Sequence, residues 1–205
     1  MSKLEAGLRD RLIDVGAELV ASEGTAAVSL REIARRAGVS HGAPRRYFPT
    51  HHELLSAIAR QGFAALAARL SEAAAELAQD PRAQLAALSR AYLEFAASNR
   101  GMYELMFRHD LLESNRLGLR EVSLPLFSMV TALVAAARPR ADGAPPVAPP
   151  VAPPAAPAVV AGALWANLHG IAQLWGWGSL QLATGLADVE PLLCAALDAH
   201  LGTGR

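Results

Sequence analysis

"SLREIARRAGVSHGAPRRYF", Ser29 to Phe48, holds two short helical signals on either side of a glycine corner. Ser29 and Glu32 have the S-x-x-E spacing of a capping box, in which the serine oxygen takes an orphan amide at a helix start. Leu30, Ile33, Ala34 and Ala37 follow as one inward stripe. Gly38 is placed to end this helix, Val39 to fill the corner, and Ser40 to cap the next helix. That next helix is expected to open with His41, Gly42 and Ala43 and to carry Pro44 fourth, where proline forfeits only the first intrahelical bond. A short helix, a tight turn and another short helix make the helix-turn-helix pattern.

The same stretch carries Arg31, Arg35, Arg36, Arg45 and Arg46 against a single acid, Glu32. The whole chain of 205 residues is neutral, with 19 Lys and Arg against 19 Asp and Glu. No global field drives it onto nucleic acid, so any DNA contact has to come from this local excess. Gly42 and Ala43 give the second helix a slim leading edge, and helix N-termini favour phosphate. Arg45 and Arg46 add always-charged, donor-rich groups beside it. Read without DNA, the same residues would make a solvated helical hairpin with ordinary surface arginines.

Outward from this motif the chain reads as helix almost throughout, being rich in Ala and Leu with few β-branched runs. A first helix is expected over 4–22, with Leu8, Leu12, Val15 and Leu19 on one face and Gly24 as its stop. Thr50 and Glu53 mark the cap of a helix reaching about 77, with Leu54, Leu55, Ile58, Leu66 and Leu70 inward. Pro81 suits the first turn of the next, whose stripe is Leu85, Leu88, Tyr92 and Phe95 and whose breakers are Asn99 and Gly101. A short helix around 102–111, one over 117–137, and two over 157–184 and 188–201 complete the reading. The Pro-rich stretch 138–157, with its APPV, APPV, APPA repeat, cannot be helix and reads as a polyproline or disordered connector.

Several classes of function find no support. The lone cysteine, Cys194, cannot form an internal disulfide and reads as a small buried hydrophobe. The N-terminal residues mix charges with apolar side chains and make no secretory signal. Residues 143–187 lack Asp, Glu, Lys and Arg, but Asn167, His169 and Gln173 sit mid-span without a flanking basic cluster, which argues against a membrane. No H-E-x-x-H, G-x-S-x-G or Gly-rich phosphate loop appears, so no enzyme, metal or cofactor is expected.

Residues 8–55, through "AELVASEGTAAVSLREIARRAGVSHGAPRRYFPTHHELL", resemble the DNA-binding domain of the TetR family of bacterial transcriptional regulators. The resemblance implies that Ser29 and Arg31 touch DNA from the start of helix two, with Ser40 capping the reading helix. His41, Gly42 and Ala43 would face base edges, and Arg45, Arg46 and Tyr47 would contact phosphate or bases. Two positions depart from the family pattern: Arg45 stands where a phosphate-binding tyrosine is usual, and His51 where a lysine is usual. Arginine holds phosphate at least as well as tyrosine. A mostly neutral histidine weakens its contact and gives it pH sensitivity.

"ALWANLHGIAQLW" resembles the Trp-x-x-x-His-Gly segment of one TetR subfamily, through Trp165, His169 and Gly170. Trp165 and His169 share a helix face, as an aromatic wall with a polar tip or as a core tryptophan with a hydrogen-bonded histidine. Phe63, Met102, Met106 and Phe107 are further candidates for lining an effector pocket, or for plain core. Trp175, Trp177, Leu192, Leu193, Ala196 and Leu197 are expected at a dimer interface. The expectation is therefore an all-α, cytoplasmic, homodimeric regulator of about nine helices, and by resemblance a repressor. A helix-turn-helix DNA-binding domain would occupy 1–50 and a helical ligand-sensing and dimerisation domain 51–205. Its partners would be palindromic operator DNA and a small-molecule effector, with no membrane. The competing expectation is a helical protein–protein interaction module that binds no operator.

Overall fold

The computed structural model describes residues 3–75, 77, 80–112, 117–138 and 155–203, with side chains from Gly7 onward. Among these it is all-α. The order is α1 (Lys3–Glu23), a 3-10 turn (Thr25–Ala27), α2 (Leu30–Arg36), a second 3-10 turn (Pro44–Arg46), α3 (His51–Ala75) and α4 (Pro81–Ser98). Then follow α5 (Arg100–Met106), α6 (Leu119–Ala137), α7 (Pro157–Gly176), α8 (Ser179–Thr184) and α9 (Glu190–Leu201). The chain divides into two compact units, Met1–Ala67 with Ser98–Leu124, and Ala68–Ala97 with Pro125–Arg205. The first unit thus holds 51–67 and Ser98–Leu124, α5 included, together with residues 1–50.

In the first unit α1 packs against α2 and α5. Leu12, Leu19, Ile33, Phe48, Leu54, Leu55 and Ile58 are fully buried. Val28, Ala34 and Ala37 close the core around the corner. Gly101 is not the helix breaker that its residue type suggests. It lies inside α5, and a Cβ there would stand 2.3 Å from the Val20 carbonyl oxygen, so the close approach of α5 to α1 requires glycine. At the end of α2, Gly38 takes φ 65° and its N–H bonds the Arg35 carbonyl, while Val39 N–H reaches back to Ala34. Paired bonds of this kind, closing a helix on a left-handed glycine, form a Schellman motif.

In the second unit α7 packs on α8 and α9. Leu85, Leu164 and Leu193 are its most deeply buried leucines. Two ion pairs tie α4 to α9: Arg82 with Asp198, and Arg90 with Glu190. Arg82 also donates to the Gly202 carbonyl at 2.7 Å, satisfying the last turn of α9.

Two expectations change here. The single helix expected over 157–184 is two, because Gly178 adopts φ 78° after Trp177 and Gly185 adopts φ 69° after Thr184. Left-handed glycines stop α-helices. Cys194 is exposed in the chain, not buried. The buried face of α9 is Leu193, Ala196, Leu197 and Leu201, and Cys194 lies about 100° further round the helix. Among the described residues, the one helix long and apolar enough to cross a membrane, by length and composition alone, is α6. The repeat 144–155 lies almost wholly outside the described residues, but its flank is fastened: Arg138 donates to the Ala155 carbonyl at 2.7 Å.

Candidate nucleic-acid interface

The corner between α2 and α3 begins as its sequence suggests. Ser29 Oγ accepts from Glu32 N–H at 3.1 Å, capping α2. Thr50 Oγ1 accepts from Glu53 N–H at 3.1 Å, capping α3. The stretch between them differs from expectation. Residues 41–46 form tight turns, not a full α-helix, and Ser40 makes no side-chain cap to the Pro44–Arg46 turn. Ala43 N–H bonds the Ser40 carbonyl, Arg46 that of Ala43 and Tyr47 that of Pro44, each three residues back, and only Phe48 N–H reaches four back, to the Pro44 carbonyl at 2.8 Å. Pro44 explains this. Its missing N–H is the one that would bond Ser40 four residues back, so the loss expected to be small changes the pitch of the segment. Pro44 and Phe48 are buried, with the Arg9 guanidinium 5.5 Å from the Phe48 ring centre. The segment is therefore pinned beneath while its upper side is open.

On that open side Ser29, Arg31, Ser40, His41, Gly42, Arg45 and Arg46 are all exposed, and Ala43 and Tyr47 are half-buried. The arginines separate into two kinds. Arg35 and Arg36 both bond Glu32, and Arg36 also pairs with Glu23. Arg31, Arg45 and Arg46 make no ion pair among the described residues. Nothing in the motif points to Glu23 as a partner, because that residue closes α1 and lies outside the stretch from Ser29 to Phe48. His51 has a use that its sequence position does not reveal. Its Nε2 lies 2.8 Å from the Val28 carbonyl and donates to it. The ring thus fastens the start of α3 to the residue before the α2 cap.

The residues expected at an effector fall into separate sets, one per unit. In the first unit Phe63 and Phe107 meet edge to face at 5.7 Å, and Tyr103 meets Phe107 at 5.1 Å. Met106 and Phe63 are buried, while Met102 and Phe107 are half-buried. Gly62 makes room for this cluster, since a Cβ there would lie 2.6 Å from Met102 Sδ. In the second unit Trp165 Nε1–H donates to Tyr92 Oη at 3.2 Å, and that hydroxyl lies 3.0 Å from His169 Nδ1. Burial holds the His169 imidazole below its ordinary pKa, and the Tyr92 hydroxyl links the Trp165 and His169 rings. Phe127 stands 6.4 Å from Trp165. The spacing of α4 marks Tyr92 only as core; its place as the link between Trp165 and His169 is visible only in three dimensions.

The expected interface residues also divide. Trp177 is exposed, and Trp175 and Leu192 are half-buried. Leu193, Ala196 and Leu197 are buried within the chain, because that face of α9 is the one turned to α7. They cannot be offered to a partner.

Comparison with known proteins agrees with this architecture. Residues 12–58 match the family described as bacterial regulatory proteins, tetR family, and residues 85–200 match the tetracyclin repressor-like C-terminal domain. No curated protein matches. Among solved structures, a protein of unknown function from Rhodococcus sp. RHA1 is 29% identical with a TM-score of 0.74, over 95% of this chain and 93% of that one. The multidrug binding protein EbrR, complexed with imidazole, is 27% identical with a TM-score of 0.61, over 96% of each chain. A TetR family member, SCO1917 from Streptomyces coelicolor A3, is 26% identical with a TM-score of 0.61, over 96% of this chain and 99% of that one. The chain belongs to the TetR family of bacterial transcriptional regulators, with an N-terminal helix-turn-helix DNA-binding domain.

Proposed function

We propose that this protein is a cytoplasmic, non-enzymatic repressor that binds a palindromic operator as a homodimer and leaves it when a small molecule binds. The observation that carries the DNA part is the open surface bearing Arg31, Arg45 and Arg46, three cations that no acid pairs among the described residues, around the exposed His41 and Gly42. Ser29, Ser40 and Ala43 would approach the backbone or base edges beside them, and Tyr47 would add a phosphate contact. His51, itself exposed, braces this surface through the Val28 carbonyl, which makes any DNA contact of its own secondary. In function the division remains 1–50 for DNA and 51–205 for sensing and dimerisation.

The effector reading rests on the Trp-x-x-x-His-Gly segment and on the likeness to EbrR, a multidrug binding protein seen with imidazole. Trp165 offers a partly exposed aromatic wall, and Met102 and Phe107 are partly exposed in the first unit. Phe63, Met106 and His169 back these surfaces. A small apolar or amphipathic effector suits them, and it acts by binding one spacing of the two DNA-binding domains better than the other.

Selection of bound duplexes from a random pool tests the reading. The expected product is a palindrome whose half-sites lie about one helical turn, roughly 34–36 Å, or a multiple apart. Recovery of no preferred sequence, with no duplex retained at low salt, would favour the interaction-module reading instead.

A further inference from the structure

Glu32 sits between two of the five arginines of the helix-turn-helix. Its carboxylate accepts from Arg35 Nε at 2.9 Å and from Arg36 Nε at 2.8 Å, and Arg35 adds a second bond through Nη2. Glu23, at the end of α1, takes the other edge of Arg36. The Arg35 side chain is nonetheless 65% exposed, so packing does not hold it. What holds it is the carboxylate. The Arg35 bonds first, and then those of Arg36, keep the Glu32 carboxyl down at about 2, so it stays charged throughout the neutral range.

We propose that Glu32 limits non-specific DNA binding by keeping Arg35 and Arg36 off the phosphate backbone, leaving phosphate contact to Arg31, Arg45 and Arg46. This rests on the DNA-binding reading above. Phosphate contacts supply affinity for every duplex alike, and each one steepens the dependence on salt. Two further cations at the motif would raise non-specific binding and narrow the ratio by which an operator is preferred. A guanidinium fork already matched by a carboxylate has its charge-assisted bonds satisfied and gains less from a phosphate. In a chain with no net charge, the internal acid thus sets how many of the local cations count.

The test uses the full chain with Glu32→Gln, Arg35→Ala and the double variant. Anisotropy is read on a random-sequence duplex and on the selected operator, over about 50–200 mM salt. Glu32→Gln should bind the random duplex several-fold tighter, with a log–log salt slope steeper by about one to two units. Arg35→Ala alone should leave the slope of the parent protein unchanged, and in the Glu32→Gln background it should remove about one unit of the gain. A folded Glu32→Gln protein with the parent's slope would overturn the proposal. So would a one-unit loss of slope in Arg35→Ala alone, which needs no Glu32 variant to fold. Failure of the parent to bind any duplex at low salt would instead overturn the DNA reading itself, and this inference with it.

Discussion

Pro44 shows how much one residue can change while its surroundings stay as the sequence suggests. The buried proline keeps the corner in place, but where its N–H is missing the expected reading helix becomes three-residue turns, closed by one four-residue bond from Phe48 N–H to the Pro44 carbonyl. His51 is a second case. A family lysine at this position would reach outward, whereas the imidazole Nε2–H is directed to the Val28 carbonyl. His51→Ala should therefore lower stability by about 1 kcal/mol, the ordinary net worth of such a bond. Its salt slope on DNA should match that of the parent. Chemical denaturation with duplex titration checks both, and a slope lower by a full unit would return His51 to the phosphate contacts. His169 carries a pH dependence. Burial lowers its folded pKa below the 6.5 of a free imidazole, so the folded state takes up a proton less readily than the unfolded one. The stability linked to this is present above pH 6.5 and is lost as pH falls toward the folded value. The unfolding midpoint should fall with acid, and His169→Gln should flatten that fall.

At the scale of elements, the buried stripes are largely legible in the sequence. Leu54, Leu55, Ile58, Leu66 and Leu70 of α3 and Leu85, Leu88, Tyr92 and Phe95 of α4 are all buried as their spacing predicts. Helical period and burial are the same signal, which is why it reads so well. The ends of elements are less legible. Gly178 and Gly185 stop helices by left-handed backbone, while Gly101, of the same residue type, sits inside one for the sake of the Val20 carbonyl. A glycine in a sequence does not declare which use it has. The polar constellation is the least legible: Tyr92 and Trp165 are 73 residues apart in the chain, and no local pattern joins them. The connector makes a prediction at this scale. Its flanks are held by the Arg138 bond to the Ala155 carbonyl, and the entropy of closing a loop changes slowly with its length. Replacing residues 144–155 with an equal Gly/Ser segment should leave DNA affinity and oligomeric state unchanged, as duplex titration and sedimentation would show. Loss of either would mean that the repeat itself packs or signals.

At the scale of the whole molecule, the proposed homodimer needs a surface on which two copies meet. The single chain leaves large apolar side chains beside and on α8 in water, with Trp177 at 61% and Leu182 at 90% exposure. Surfaces of this composition favour a self-complementary, two-fold contact. A charge placed there should give a folded monomer, so Leu182→Glu or Trp177→Glu should halve the sedimenting mass and keep the helical circular dichroism of the parent. Leu193→Glu should instead unfold the second unit, because Leu193 is fully buried within the chain. A Leu182→Glu, Trp177→Glu double variant that remained dimeric would place the interface elsewhere.

The proposed DNA contact runs through Arg31, Arg45 and Arg46, which no acid pairs among the described residues. Its most direct test is the salt dependence of operator affinity for the parent protein and for Arg45→Ala with Arg46→Ala. The account predicts weaker binding and a log–log slope shallower by about one unit for each phosphate no longer held, for operator and random duplex alike. An unchanged affinity and slope in a variant that folds and dimerises as the parent does would contradict it.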